Sequence, residues 1–249
     1  MNIAGMTALV TGGANGIGFA IAQALMDAGG RPILADIDGD ALTNAARELG
    51  NVPHFEMDTT DRTAWARLRE QVGIVDILVN NAGIGPDGRT LADMEPASFD
   101  RVIAINLIGV FNGVSTFAAG MRERGSGHIV NIASMAALVW PATIGAYAAA
   151  KSGVVGLSEV LRSELADHGV GVSVIFPGMV TTRLRETTRR AGSETPTGAP
   201  TLSREAMAAS VIGGLVVEAI CSGRPMVASH PEYREAVERR IEEILRGFD

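Results

Sequence analysis

The stretch GAYAAAKSG, residues 145–153, sets a phenol, Tyr147, and an amine, Lys151, on either side of three alanines. Alanine is the strongest helix former, and residues four apart on a helix share a face, so the two polar heads can meet. A tyrosine with a pKa of about 10 is a poor base at neutral pH, but a nearby ammonium favours the phenolate and lowers that value. Such a pair can act as an acid/base catalyst, with an expected midpoint below that of free tyrosine. Any exposed helix can carry the same spacing, so the surrounding chain has to support the reading.

The elements that must position this pair follow from the hydrophobic pattern. Short apolar runs alternate with longer amphipathic ones: TALVTG then 16–29, PILAD then 39–49, HFEMD then 61–72, and DILVN then about 97–124. HIVNIAS, a helix from about 145 to 167, and VSVIFPG continue the series. Strands this apolar are buried on both faces, and right-handed crossovers wind them into an open parallel sheet covered by helices. Ligands of such sheets bind beyond the carboxyl ends of the strands.

TGGANGIG, residues 11–18, stands at the first of those ends. Gly12, Gly16 and Gly18 allow a tight turn and a close backbone approach to a pyrophosphate, whose charge the following helix N-terminus stabilises. The spacing GxxxGxG departs from the commoner GxGxxG. Asp36 ends the second strand, where a carboxylate accepts hydrogen bonds from an adenosine ribose.

TGGANGIG, NNAG at 80–83, Ser134, YAAAK and PGMVTT at 177–182, in this order, closely resemble the short-chain dehydrogenase/reductase family in its shorter-subunit branch. The resemblance covers roughly residues 5–228. It implies a single Rossmann-type doubly wound α/β domain with seven parallel strands in the order 3-2-1-4-5-6-7. It also implies roles: Tyr147 as general acid/base, Lys151 lowering its pKa and bonding the nicotinamide ribose, Ser134 orienting the substrate oxygen, and Asn106 holding a water that links Lys151 to solvent. By the same resemblance Gly12, Asn15, Gly16, Ile17 and Gly18 form the pyrophosphate turn. Asp36 and Ile37 meet the adenosine ribose, Asp58 and Thr59 the adenine, and Asn81, Ala82 and Gly83 pass close to the ribose. Val180 and Thr182 fix the carboxamide. Asn80 has a second reading as a buried amide tying strands together, and Pro177 and Gly178 as a strand-end turn.

NAD rather than NADP is expected as cofactor, because Asp36 repels a 2′-phosphate and is followed by Ile37 rather than arginine. Asn15 occupies the position that is often basic in NADP users of the family. Arg31 begins the second strand, at the far end of the sheet.

Net charge is −7 with no long basic run, which argues against a nucleic-acid partner. The single cysteine, Cys221, cannot close an internal disulfide, and its apolar helical context predicts a buried thiol in a reducing cytoplasm. His54, His128, His168 and His230 lack ligand spacing, so no metal is expected. No basic leader is visible and no apolar run is judged long enough to span a bilayer, which predicts a soluble protein.

Ser134, Trp140, Ile144, Tyr147 and Met179, with Ile84 and Phe176 nearby, predict a mostly apolar substrate pocket suited to a secondary alcohol or ketone. Residues 183–203, polar and carrying Arg183, Arg185, Arg189 and Arg190, read as a substrate lid able to grip an anion or as a solvated loop. Residues 229–249 form an amphipathic helical extension with Tyr233, Val237, Ile241, Ile244, Leu245 and Phe248 on one stripe, and Ser229 with Glu232 as a possible capping box. Its stripe must be covered within the subunit or across a homotetramer or homodimer contact. Two alternatives remain: a 3-oxoacyl carrier-protein reductase using NADPH, and a non-enzymatic NAD-binding protein on the same fold.

Overall fold

In the computed structural model, which describes residues 1–182, 184–192 and 206–249, the chain forms a seven-stranded parallel sheet in the order β3-β2-β1-β4-β5-β6-β7. The strands are β1 Thr7–Thr11, β2 Arg31–Asp36, β3 His54–Glu56, β4 Ile77–Asn80, β5 Gly127–Ile132, β6 Val170–Phe176 and β7 Met226–Ala228. The helices are α1 Gly16–Asp27, α2 Gly39–Glu48, α3 Arg62–Val72, α4 Pro96–Ile103, α5 Gly109–Arg124, α6 Gly145–Leu165, α7 Leu184–Arg190, α8 Ala209–Ser222 and α9 Arg234–Leu245.

The period-two alternation of strand side chains builds two cores from one sheet. Ala8, Val10, Ile77, Val79, Val130 and Ile132 point to one face, where α1, α2 and α8 cover them. Leu9, Leu78 and Ile129 point to the other, against Trp65 and Leu68 of α3, Phe117 and Met121 of α5, and Leu161 and Leu165 of α6. Each such side chain contributes about 1.5–3 kcal/mol of burial before the entropy of ordering is subtracted. Asn80 Nδ2 donates to Asn131 Oδ1 at 2.8 Å, and Asn131 Nδ2 to Ser158 Oγ at 2.8 Å. Its reading as a tie between strands therefore holds.

Between α4 and α5 the helix widens to a π-turn, Ala104–Ile108, which makes Pro96–Arg124 one continuous helical run. By length and composition this run could cross a membrane, which corrects the expectation that no apolar run is long enough: the π-turn joins two helices into one. Its apolar face is instead packed under the sheet through Val110, Val114, Phe117 and Met121.

Three further expectations are corrected. Cys221 is exposed, because it falls on the outer face at the end of α8 while Ile212, Val216, Ala219 and Ile220 face the core. The Ser229–Glu232 capping box does not form. The Ser229 hydroxyl turns inward to Phe176 O and His230, and α9 starts only at Arg234, after a 3-10 turn at Pro231–Tyr233. The stripe of α9 is split: Tyr233 and Val237 pack on Met135, Ala137 and Phe176, whereas Ile241, Ile244, Leu245 and Phe248 are exposed. The pairs Glu235–Arg239 and Glu242–Arg246 are made, each at 3.9 Å on the solvated face.

Candidate active site

The carboxyl ends of β1, β2, β4, β5 and β6 open into one cleft of about 660 Å³. A second, more open groove of about 500 Å³ between α3 and α5 is lined by Arg62, Trp65, Arg69 and Asn112 and contains none of the motif residues.

One end of the cleft is made of backbone. Gly12 has φ +65°, and a Cβ on Gly18 would lie 2.0 Å from Gly12 O, so only glycine allows α1 to start this close beneath the turn. The turn is braced on both sides. Asp36 Oδ2 accepts from Ala14 N at 3.0 Å and Oδ1 from Asp38 N at 3.1 Å. Thr11 Oγ1 accepts from Asn81 N at 3.0 Å and Ala82 N at 3.1 Å, while Asn81 Nδ2 donates to Thr11 O at 2.9 Å. Thr11 opens the TGGANGIG motif in the sequence, but nothing there assigns its hydroxyl this bracing role. Asn15, Gly16, Ile17, Asp36, Ile37, Asp58, Thr59, Asn81, Ala82 and Gly83 line this half. Asp58 Oδ1 holds its own turn, accepting from Thr60 N at 2.8 Å. A glycine cradle at a helix N-terminus with a carboxylate at the end of β2 fits a dinucleotide.

At the other end Ser134, Tyr147 and Lys151 converge from the end of β5 and the first turns of α6. Ser134 neighbours the Tyr147 phenol closely enough to favour its phenolate. Ser134 Oγ accepts from Ala136 N at 3.1 Å and approaches Pro177 O at 3.4 Å. Lys151 Nζ donates to Ile132 O at 2.9 Å and lies 5.8 Å from the Tyr147 ring centroid. Asn106 sits inside the π-turn, a distortion that recurs at functional sites. Its Oδ1 accepts from Ile84 N at 3.2 Å and its Nδ2 donates to Val102 O at 3.1 Å, which fixes its side chain beside the cleft.

The electrostatics correct one expectation. Tyr147 is raised above the ordinary phenol value, because burial penalises the phenolate more than Ser134 favours it. Lys151 is lowered to about 8, also by burial. In the protein itself the ammonium therefore does not bring the phenol down, as helical spacing alone suggested. Its Nζ is turned to Ile132 O.

Met179, Val180 and Thr182 line the cleft as expected, and Met207 pairs with their strand-like segment, accepting from Thr181 N at 2.9 Å. Trp140 and Ile144 do not line it. Trp140 is exposed with the Arg240 guanidinium 3.2 Å from its ring centroid, and Ile144 precedes α6 as its N-cap residue. Phe176 is core. Of the proposed lid, residues 183 and 193–203 lie outside the described residues, as does the side chain of Arg185. The described part, α7, crosses the cleft. Gly85 N donates to Thr188 Oγ1 at 2.7 Å, and Arg190 forms an ion pair with Asp38, the N-cap of α2, and with Glu186 at 2.9 Å. Asp38 and Arg190 were not foreseen at the cofactor end, because only the fold brings α7 over α2. Among the described residues no group of three His, Cys, Asp or Glu side chains is placed to hold a metal ion.

Residues 6–192 match the short-chain dehydrogenase family. The chain is 40% identical over 188 residues to "Probable oxidoreductase EphD" of Mycobacterium tuberculosis, a match covering 72% of this chain but only 32% of that protein. It is 33% identical over 256 residues to 1-deoxy-11-beta-hydroxypentalenate dehydrogenase of Streptomyces exfoliatus, covering 99% of this chain and 90% of the relative. A short-chain dehydrogenase/reductase of Burkholderia phymatum, crystallised with NAD, superposes with a TM-score of 0.89 at 30% identity, over 99% of this chain and 96% of that one. With the Rossmann-like sheet and the ordered motifs at its strand ends, these likenesses identify the chain as a member of the short-chain dehydrogenase/reductase family of oxidoreductases.

Proposed function

We propose that the protein is an NAD-dependent oxidoreductase that interconverts a secondary alcohol and a ketone on a mainly apolar skeleton. The observation that carries this reading is the convergence of Ser134, Tyr147 and buried Lys151 on one cleft, at the end opposite Asp36. NAD would lie along Gly12, Gly16, Asp36 and Lys151, and supplies the hydride acceptor when bound.

The protein's own groups handle the proton and the substrate oxygen. Ser134 donates a hydrogen bond that orients the oxygen, and the Tyr147 phenol oxygen takes the hydroxyl proton during oxidation and returns it during reduction. Raised as it is by burial, Tyr147 is neutral in the protein alone and suited to donating. Oxidation needs its phenolate, which a Lys151 ammonium turned toward the phenol and the ribose would stabilise. Asn106 would hold the proton path to solvent. The apolar walls, Ile84, Ile105 and Met179, exclude water from the reacting carbon.

Asp36 supports NAD over NADP, since its carboxylate would face a 2′-phosphate. Arg190 also lines that end, but its guanidinium is committed to Asp38 and Glu186. The family is commonly oligomeric, and the exposed stripe of α9 supports assembly into a homotetramer or homodimer.

The test is a spectrophotometric screen of the purified protein with NAD or NADP against a panel of cyclic and aryl secondary alcohols. NAD reduction with at least one of them, faster than with NADP, is expected. Turnover only with NADP and 3-oxoacyl thioesters would replace this reading with the reductase one.

A further inference from the structure

Ser229 and His230 follow β7, are buried, and belong to none of the motifs at the cleft. Both side chains meet the turn after β6. Ser229 Oγ lies 2.6 Å from His230 Nδ1, Gly178 N lies 3.2 Å from each of those two atoms, and His230 Nε2 lies 3.2 Å from Met179 O. The partners dictate the tautomer. A carbonyl only accepts, so Nε2 carries the hydrogen, while a hydrogen on Nδ1 would face the Gly178 N–H. Nδ1 therefore accepts, from the Gly178 amide and from the Ser229 hydroxyl, whose single hydrogen goes to the 2.6 Å contact with Nδ1 rather than to Phe176 O at 3.2 Å. A Cβ on residue 178 would lie 2.6 Å from the imidazole Cγ, so glycine is what lets the ring sit against the peptide. Tyr233 holds the ring from another side, edge-on at 6.2 Å.

The opposite side of the same turn faces the chemistry. Gly178 and Met179 line the cleft, and the carbonyl before them, Pro177 O, accepts from Met135 N at 2.9 Å and stands 3.4 Å from Ser134 Oγ. We propose that His230 is a positioning residue of the substrate end: as the neutral Nε2–H tautomer it clamps the Gly178–Met179 peptide, and through that peptide it sets where Ser134 and the Met179 wall meet the substrate. The proposal rests on the oxidoreductase reading for its kinetic consequence, but not for its geometry. A rigid floor matters because a displacement of about 1 Å at a reacting centre can cost about 100-fold in rate.

The test compares full-length His230→Gln, His230→Phe and His230→Asn with the native protein. NAD affinity is measured by calorimetry, and oxidation of 1-phenylethanol and cyclohexanol by NADH formation. Nitrogen-15 spectra of the histidine rings and of the Gly178 amide are recorded in parallel. Phenylalanine keeps the volume and loses both bonds, so NAD affinity should stay within about threefold while kcat/KM falls at least about tenfold, chiefly in kcat. Glutamine carries a donor toward Met179 O and should recover most of the loss, whereas asparagine reaches only the Nδ1 position and should not. Should the Phe variant fail to fold, the Gln and Asn pair carries the comparison. Native kcat and KM in the Phe variant, a Gln variant no better than Asn, or an Nδ1–H ring in the native protein would overturn the clamp. If the native protein turns over neither alcohol, the proposed substrate class is what fails. The ring tautomer and the shift of the Gly178 amide in the Gln variant then decide the role of His230 alone.

Discussion

The two ends of the cleft are built differently. At the cofactor end the determinants are backbone: the turn between β1 and α1, Thr11 Oγ1 bracing Asn81 and Ala82, and Asp36 bracing Ala14. At the substrate end they are side chains delivered from distant segments. Ser134 comes from the end of β5, Tyr147 and Lys151 from α6, and Met179 from the turn after β6, which His230 holds from beyond β7. A backbone site tolerates little and reads one ligand shape. A side-chain site can be retuned, so specificity resides where the chain is least local.

This difference can be pressed hardest at Gly18. Alanine there would put a Cβ 2.0 Å from Gly12 O and 2.6 Å from Asn81 Nδ2. The overpacking should cost about 3 kcal/mol of turn geometry, or about a 100-fold loss in NAD affinity by calorimetry. A small residue added at the other end, Met179→Ala, should leave NAD affinity near native, and equal losses at both sites would erase the distinction.

A control lies at the amino end of the sheet, away from both. His128 is buried against Ser173, Nε2 to Oγ 2.9 Å, and burial lowers its pKa from 6.5 to about 4. The folded state thus refuses a proton that the unfolded chain accepts below 6.5. Its contribution is full above that pH and is lost as pH falls toward 4, about 2 kcal/mol by pH 5 and about 3 kcal/mol in all. Urea unfolding at pH 7 and pH 5 should show this loss in the native protein and much less of it in His128→Gln.

At the cofactor end, Asp36→Ser should raise the NADP-to-NAD ratio of kcat/KM about tenfold or more, because a like-charge contact is removed. Since Asp36 also braces Ala14 and Asp38, NAD affinity should fall in the same variant. An unchanged ratio would assign selectivity to Asp38 and Arg190 instead. The smallest effect is expected on α9. Ile241→Glu with Leu245→Glu should keep kcat and KM within about twofold, as exposed substitutions do. The sedimenting mass should fall toward the 25.9 kDa subunit. An unchanged mass would place assembly on another face.

Legibility in the sequence follows the same division. The alternation of strands and helices, the glycine turn and Asp36 were readable from short-range pattern: apolar runs between amphipathic ones, a glycine spacing, a carboxylate at a strand end; the strand order came only with the family resemblance. Tyr147 and Lys151 were readable because a helical repeat carries them, and Ser134 because the family resemblance implies it. Trp140 and Ile144 were misplaced because proximity in sequence to Ser134 and Tyr147 says nothing of direction, and Arg240, a hundred residues on, draws the indole outward. Asp38, the pairing of Arg190 with it, and His230 went unseen for the same reason. Their partners lie on other elements and no local pattern announces them. The pKa of Tyr147 was read in the wrong direction because spacing reports neighbours but not burial.

The most direct test of the whole account is Tyr147→Phe, with NAD affinity and alcohol oxidation measured on the same preparation. The variant keeps the ring and loses only the hydroxyl proposed to move the proton. The account predicts that NAD binds within about threefold of native while kcat falls about 1,000-fold, the scale of a lost general acid/base. Near-native turnover in that variant would mean that another group moves the proton, and would contradict it.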